Sequence, residues 1–377
     1  MSKAVNRIAE DITNLSAPIS VWWDITNKCN LSCLHCYSSS SPDRNNSDEL
    51  TFNEAKKLIS ELSDIGVFAI FFLGGEPLMR PDIFDIIKYT RSKSISVTIS
   101  SNGWLVTKEV AEKLSLLEIN QIGISLDGAS SKTHDWLRNK EGSFEHAVNA
   151  VINLKKSGIP NVATVTTITH HNVQEVGKII DLAASLGADN IQCLVVEQSG
   201  RGKDNYGILG LTKNEASILK ATLEIKRKQY EDRLLVFSSD GVLPSPCYES
   251  IRSGLIKPDL MGCPVGRTCC NINYNGDIIP CLLVRKPIIG NIRRNSFKEI
   301  WDQSPVFLEW RRKRLGHQEC LECPLNYACN RECPLSRSQK SVTSETRKTN
   351  IKTLEDEWSH ANHLTKSETE KGIAPQI

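Results

Sequence analysis

Short apolar segments alternate with amphipathic segments along residues 20–200. Between the apolar runs, hydrophobic residues recur at the three-to-four spacing of one helical face. Six runs have the length and composition of buried parallel strands: Ser20–Thr26, Ala69–Leu73, Ile95–Ser100, Gln121–Ser125, Ala163–Ile168 and Asn190–Val195. Six strand–helix units in series predict an α/β fold whose parallel sheet curls into a partial or full barrel, with function at the carboxyl ends of the strands.

Helix start signals support this alternation. Thr51 and Glu54 have the spacing of a capping box before an amphipathic run. Asn172 and Glu175 repeat that signal after the fifth predicted strand. Pro81 stands where another helix would begin, since proline is tolerated in the first turn.

The alternation stops near residue 200. Leu211–Tyr230 is predicted to be a helix and Leu234–Ser238 a strand. Asn275-Gly276 predicts a tight turn within a hairpin spanning Asn273–Pro280. We therefore divide the chain into an N-terminal segment (1–19), a barrel (20–232), a small cysteine-rich domain (233–337) and a polar, mobile tail (338–377).

Composition excludes several partner classes. The chain has 377 residues, of which 40% are hydrophobic, and a formal net charge of +2. That balance lacks the basic field used by nucleic-acid binders. No apolar run approaches the roughly 18 residues of a membrane span, and the amino terminus has no signal-peptide core. We therefore expect a cytoplasmic protein without nucleic-acid or membrane partners.

Thirteen cysteines indicate metal rather than disulfides, because a large chain without an export signal works in a reducing compartment. Three cysteines lie within residues 29–36, four within 263–281 and four within 320–333. Cys193 and Cys247 stand apart, and we expect both to be structural thiols.

The first group, Cys29, Cys33 and Cys36, directly follows the first predicted strand and so lies at the barrel mouth. A structural zinc site would close its tetrahedron with a fourth Cys or His. Three thiolates leave one metal position open, and an iron–sulfur cluster with three protein ligands can offer that position to a substrate or cofactor.

This segment resembles the radical S-adenosylmethionine (SAM) enzymes, whose hallmark is Cys-x3-Cys-x2-Cys with an aromatic residue, here His35, before the third cysteine. The resemblance implies a partial (β/α)6 radical SAM barrel and a [4Fe-4S] cluster. In that family the open iron binds the amino and carboxylate groups of SAM. Reductive cleavage then yields a 5′-deoxyadenosyl radical that abstracts a hydrogen atom from the substrate.

Four further elements resemble the family's cofactor loops in the family's order. Gly74-Gly75-Glu76-Pro77 matches its GGEP element, in which the glutamate accepts a hydrogen bond from the SAM amino group. Ser101-Asn102-Gly103, Ser125-Leu126-Asp127-Gly128 and Arg138 match its carboxylate, ribose and neighbouring contacts. The resemblance thus implies cofactor-binding roles for His35, Gly74, Gly75, Glu76, Pro77, Ser101, Asn102, Ser125, Asp127 and Arg138.

The remaining cysteines resemble the SPASM extension, which holds auxiliary iron–sulfur clusters. The implied ligands are Cys263, Cys269, Cys281 and Cys333 for one cluster, and Cys320, Cys323 and Cys329 for a second. The pattern lacks its last cysteine. The second cluster therefore has an open iron, takes a ligand such as Asp356 or His360, or does not form. Cys270 leaves the register ambiguous, and a zinc ribbon built from the last four cysteines is an alternative.

The resemblance implies a peptide or protein substrate and an electron donor such as flavodoxin or ferredoxin. Only about 20 residues precede the first predicted strand, so we expect no fused leader-binding domain. A separate leader-binding protein would then present the substrate, as in the maturases of pyrroloquinoline quinone and mycofactocin. The bond that is changed, whether by cross-linking, decarboxylation or oxidation, stays open.

Two alternatives compete. Radical SAM enzymes of alternative haem and haem d1 pathways remove tetrapyrrole propionates, and Arg201, Lys203 and Arg285 could form the basic rim that such a polycarboxylate needs. A non-enzymatic iron–sulfur electron carrier would need the cysteines but not the SAM loops. No general base is named, because cap and packing roles are equally good for His134, Asp135 and Tyr37.

Overall fold

The computed structural model describes residues 15–238 and 265–312. Its strands are β1 (Ser20–Thr26), β2 (Ala69–Gly74), β3 (Ser96–Ser101), β4 (Gln121–Ser125), β5 (Val162–Ile168), β6 (Asn190–Val195), β7 (Leu235–Ser238), β8 (Cys269–Ile272), β9 (Asp277–Ile279) and β10 (Gly290–Asn291). They form one sheet in the order β10-β9-β8-β1-β2-β3-β4-β5-β6-β7. The predicted α/β fold with a parallel sheet is confirmed.

Helices connect consecutive parallel strands. They are α1 (Phe52–Asp64), α2 (Ile83–Ser92), α3 (Lys108–Leu116), α4 (Ser131–Arg138), α5 (Ser143–Lys156), α6 (Val176–Ser185), α7 (Gly200–Asp204), α8 (Tyr206–Leu209), α9 (Lys213–Tyr230), α10 (Phe297–Gln303) and α11 (Pro305–Arg312). Strands β1 to β7 pair in parallel in chain order, and β8 pairs in parallel with the other side of β1. The carboxyl ends of these strands therefore share one edge, where the cofactor loops follow them.

Each strand buries one face under the helices. The main core joins β1 to β5 to helices α1, α2, α3 and α5. Its strand residues alternate, as the pleat requires: Val21, Trp23, Ile25, Ile70, Phe72, Val97, Ile99, Ile122, Ile124 and Val162. A second core lies between the β5–β7 end of the sheet and helices α6 and α9.

The opposite, concave face of the parallel strands is less buried and nearly uncharged. Alternation places on it Trp22, Asp24, Phe71, Leu73, Thr98, Ser100, Gln121, Ser125, Val165, Thr167, Gln192 and Leu194. Asp24 is the one ionisable residue of that set, and its side chain pairs with Arg285. The barrel interior thus presents apolar and neutral polar groups.

The capping predictions had different outcomes. The Thr51–Glu54 capping box forms at the start of α1. The Asn172–Glu175 box is wrong, because α6 begins only at Val176 after a short 3-10 turn. Asn172 instead accepts from the Thr169 amide and donates to two backbone carbonyls, while Glu175 accepts from Ala129 and Thr133. Asn172 is thus held by local and tertiary partners, and Glu175 by tertiary ones.

The predicted C-terminal hairpin forms between β8 and β9, which pair antiparallel around Gly276 at φ +84°. Cys270 and Ile272 face the main core, so Cys269 faces the opposite side of β8. Cys247, Cys263, Cys320, Cys323, Cys329, Cys333 and the tail lie outside the described residues. Within the described ranges, no helix is long and apolar enough to cross a membrane.

Candidate iron–sulfur and cofactor site

The three N-terminal cysteines lie on the loop that leaves β1, here called the cluster loop (residues 27–41). Cys29 and Cys33 are each only 7% exposed, and they pack with Leu31, Cys36 and Trp104. The side-chain amide nitrogen of Asn102 lies 3.7 Å from the Cys29 sulfur. The loop therefore holds its three thiols together at the carboxyl edge of the sheet.

The chemistry of these thiols fits an iron–sulfur cluster. Burial, followed by the charge of Cys33, raises the pKa of Cys29 to about 12, and burial also raises the pKa of Cys33. Thiolates here are stable only beside a cation that compensates their charge. A cubane cluster takes one thiolate at each of three irons, and these three cysteines can supply them.

Glu76 is a fully buried acceptor at the end of β2. Its Oε1 accepts from the Ser101 hydroxyl at 2.9 Å and from the backbone amide of Leu78 at 3.2 Å. Its Oε2 accepts from the backbone amide of Asn102 at 2.7 Å. Burial is the main reason why its pKa is raised, to about 7. A carboxylate offers roughly four acceptor positions, so one position on Oε2 remains for a donor such as the amino group of SAM.

Gly74 and Gly75 serve the chain's own backbone. A Cβ on Gly74, whose φ is +116°, would lie 2.4 Å from the Thr26 carbonyl oxygen, and one on Gly75 would lie 2.0 Å from that of Lys28. The amide of Gly75 donates to Thr26 O and that of Glu76 to Lys28 O. The glycines therefore let the end of β2 lock against the start of the cluster loop. Pro77 is buried and begins a 3-10 turn.

The loop after β3 reaches the cluster loop directly. Asn102 donates to the Oδ1 atom of Asn30 at 2.7 Å and accepts from the Trp104 amide. This contact depends on Asn30, which none of the sequence motifs indicated. Its position immediately after Cys29 was the available signal.

Asp127 and Arg138 form a buried ion pair of 2.6 Å beneath the cluster loop. Asp127 also accepts from the Thr167 amide and lies 3.7 Å from Nε2 of His35. Arg138 approaches the Cys33 sulfur at 3.8 Å. Ser125 is half-buried at the end of β4. These predicted cofactor residues are thus brought together on one edge, with Asp127 and Arg138 lying behind the thiols.

The three residues considered as a general base make structural hydrogen bonds in the described part of the chain. Asp135 accepts from the amides of Gly142 and Phe144 and thereby caps the start of α5. His134 accepts from the Asp127 amide through Nδ1, and burial lowers its pKa to about 4. Tyr37 donates to Asp24 at 2.9 Å.

Two of the three cations suggested for a basic rim are engaged within the chain. Arg201 donates to the carbonyls of Cys33 and Ser40, and Arg285 pairs with Asp24 and donates to Asn273. Both guanidinium groups are therefore committed to internal partners. Whether they also line a basic rim stays a prediction.

The hairpin register brings two auxiliary cysteines level with each other. Asn271 of β8 pairs with Ile279 of β9, and the two strands are antiparallel. Cys269 lies two residues before Asn271 and Cys281 two residues after Ile279, so both cysteines lie at the same end of the hairpin. Cys270 is fully buried and faces the main core, where burial raises the pKa of its thiol. This register favours Cys269 over Cys270 as the ligand, which stays a prediction.

Sequence models of known families match two parts of the chain. The model described as the radical SAM superfamily matches residues 23–183, and that of the SPASM iron–sulfur cluster-binding domain matches residues 263–324. The mycofactocin maturase of Mycolicibacterium smegmatis is 33% identical over 87% of this chain and 81% of its own. The AdoMet-dependent heme synthase of Methanosarcina barkeri is 30% identical over 84% and 92%.

Solved structures share the fold. Streptococcus suis SuiB bound to S-adenosylmethionine superposes with a TM-score of 0.70 at 19% identity, over 90% of this chain and 78% of that one. Native anSMEcpe with bound AdoMet and a Cp18Cys peptide superposes with a TM-score of 0.64 at 18% identity, over 86% and 91%.

Proposed function

Because the chain belongs to the radical SAM superfamily and carries a SPASM iron–sulfur domain, we propose that this enzyme modifies a ribosomally made peptide or protein. Its cofactors are SAM and iron–sulfur clusters. When bound and reduced, they supply a carbon radical that removes a hydrogen atom from the substrate. The three-thiol cluster loop beside the buried Glu76 acceptor is the observation that carries this proposal.

The chain's own residues hold and shield this chemistry. Cys29, Cys33 and Cys36 would hold the SAM-binding cluster, and Glu76 would orient the SAM amino group. Asp127 and Arg138, each less than a tenth exposed, keep water and free charge away from the back of the site. Since most of these residues are buried, they would keep solvent away from the chemistry that the cofactors supply.

The concave face favours a peptide over a tetrapyrrole. A polycarboxylate needs cations at the barrel mouth, yet Arg201 and Arg285 are bound to internal acceptors. The strands offer neutral groups and the Trp22–Phe71 ring pair, whose centroids are 5.8 Å apart. Such a surface suits the backbone and apolar side chains of a peptide. A separate leader-binding protein would deliver it, and flavodoxin or ferredoxin would supply the electron.

Removal of tetrapyrrole propionates is the second candidate. Its support is the relative named AdoMet-dependent heme synthase, together with the exposed Lys203. An electron carrier is the third.

Anaerobic reconstitution followed by mass spectrometry separates these candidates. The enzyme is incubated with SAM and dithionite, and with either candidate precursor peptides or an iron-loaded porphyrinoid. We expect 5′-deoxyadenosine together with a peptide mass change. Turnover with the porphyrinoid alone would establish the second candidate, and bound iron without SAM cleavage would establish the third.

Cysteine variants provide the matched control. Cys33→Ala should abolish deoxyadenosine formation. Cys193→Ala should retain it, because Cys193 is a buried residue of the second core.

A further inference from the structure

The segment that follows β6 makes hydrogen bonds to backbone carbonyls of the cluster loop. We call it the β6 clasp (residues 199–205). Its side chains donate to four carbonyls of the loop: Ser199 to Tyr37 O (3.2 Å), Arg201 to Cys33 O (2.7 Å) and Ser40 O (2.8 Å), and Asn205 to Leu34 O (2.9 Å). The Arg201 amide adds Cys36 O at 2.9 Å. Five loop carbonyls, two of them on cysteines, thus point at one short segment.

Two glycines make this approach possible. A Cβ on Gly200 would lie 2.4 Å from the carbonyl oxygens of both Cys36 and Tyr37. A Cβ on Gly202 would lie 2.7 Å from Glu197 O and 3.1 Å from His35 O. Any larger residue at Gly200 must push the loop away, because the obstructing atoms are backbone. The Gly-Arg-Gly sequence is therefore explained by the cluster loop.

Arg201 brings a positive charge to the loop. Arg138 is paired with the carboxylate of Asp127, whereas within residues 15–238 and 265–312 the partners of the Arg201 side chain are neutral carbonyls. Among the described residues, no carboxylate lies within ion-pair distance of Arg201. Its guanidinium is half-buried, where a charge interacts more strongly with its neighbours than it does in water.

We propose that Arg201 is a positioning residue of the SAM-binding cluster, whose hydrogen bonds hold the cluster loop and whose charge favours the reduced state. Reduction adds one electron, supplied by dithionite or a flavodoxin-type donor, and so one negative charge near the guanidinium. Loss of the positive charge should make reduction less favourable. The proposal rests on the cluster assigned to Cys29, Cys33 and Cys36 and is independent of the substrate.

An anaerobic redox titration followed by electron paramagnetic resonance tests it. The signal to follow is the one that changes on addition of SAM. For Arg201→Gln we expect the equilibrium constant for reduction to fall roughly tenfold, which for one electron is about 59 mV. Lys203→Gln is the matched control, because it removes the same charge from the same helix at an exposed position, and it should leave the potential unchanged.

A second variant separates the hydrogen bonds from the charge. Arg201→Lys keeps the charge but replaces the two donating nitrogens of the guanidinium by one, so it cannot reproduce both hydrogen bonds in the same geometry. Its potential should stay near that of the wild type while iron is lost faster in air. The iron content of each variant is counted beside its thermal unfolding.

A wild-type potential in Arg201→Gln, or an equal shift in Lys203→Gln, would overturn the proposal. If Arg201→Gln takes up no cluster, the rate of iron loss from Arg201→Lys tests the proposal instead. Faster loss than from the wild type supports the positioning role of Arg201, and an unchanged rate refutes it. A lack of peptide turnover in otherwise normal protein would count against the proposed function and leave these readouts intact.

Discussion

At the scale of single residues, the site is defined by ionisable groups held out of water. Glu76 and Asp127 are both completely buried, yet they differ in their partners. Asp127 has the guanidinium of Arg138, whereas Glu76 accepts only from neutral donors. A buried carboxylate without a cation favours a positively polarised ligand. Glu76 is therefore the residue whose change should affect SAM most directly.

Glu76→Gln should weaken SAM binding by about tenfold to a hundredfold. The change removes the negative charge of the acceptor, and the NH2 group of the glutamine would face N–H and O–H donors in place of a carboxylate oxygen. Titration calorimetry on the reconstituted, unreduced enzyme measures this. Glu112→Gln, at an exposed position on α3, should bind SAM like the wild type. Equal affinities for Glu76→Gln and the wild type would remove Glu76 from the site.

The affinity for SAM should also depend on pH. The pKa of Glu76 is raised to about 7, so the carboxyl is neutral below that pH and loses its strength as an acceptor. The affinity should therefore fall below pH 7, by up to about tenfold per pH unit, and level off above it. Calorimetry between pH 6 and 8 tests this, and a flat profile would contradict it. In Glu76→Gln the slope should disappear.

At the scale of elements, the strands could be predicted from the sequence and several local contacts could not. Short β-branched runs predicted all six barrel strands, with ends displaced by at most one residue, because burial under helices requires that composition. The Asn172–Glu175 capping box failed because the side-chain oxygen of Asn172 accepts from Thr169, three residues earlier, and Glu175 accepts from Ala129 and Thr133. The first contact is a local competitor of the cap, whereas the contacts of Glu175 are tertiary and local propensity cannot predict them.

The junction between β2 and the cluster loop gives an element-scale prediction. Gly75→Ala would place a methyl group against Lys28 O and should destabilise the protein by about 1–3 kcal/mol or more, because backbone must move. The displaced loop should also bind less iron. Thermal unfolding and iron counting measure the two effects.

Gly207→Ala is the control for that change, since a Cβ there meets nothing within 4 Å. It should be neutral or slightly stabilising. A Gly75→Ala protein with wild-type stability and iron content would show that the close contact does not position the loop.

At the scale of the whole molecule, β1 joins the barrel to the cysteine-rich region. It pairs with β2 on one side and with β8 on the other, and Asp24 on β1 contacts Arg285 beyond β9. Tyr37, next to Cys36, donates to the same carboxylate. The sequence predicted both cysteine regions but not this link, because its partners are separated by 261 residues.

Breaking that link should be costly. Arg285→Met removes the cation that pairs with the buried Asp24, and we expect the free energy of unfolding to fall by about 3–5 kcal/mol. Adding Asp24→Asn should recover part of the loss. Urea unfolding of the two single variants and the double variant measures the coupling. Additive losses would mean that the pair does not join the two regions.

The account as a whole depends on an iron of the N-terminal cluster that the protein leaves free for SAM. Electron paramagnetic resonance of the reduced enzyme with SAM labelled by ¹⁷O in its carboxylate tests this most directly. We predict hyperfine broadening of one cluster signal, absent with unlabelled SAM and lost in Cys33→Ala. A spectrum that labelled SAM leaves unchanged, with the cluster present at full occupancy, would contradict the account.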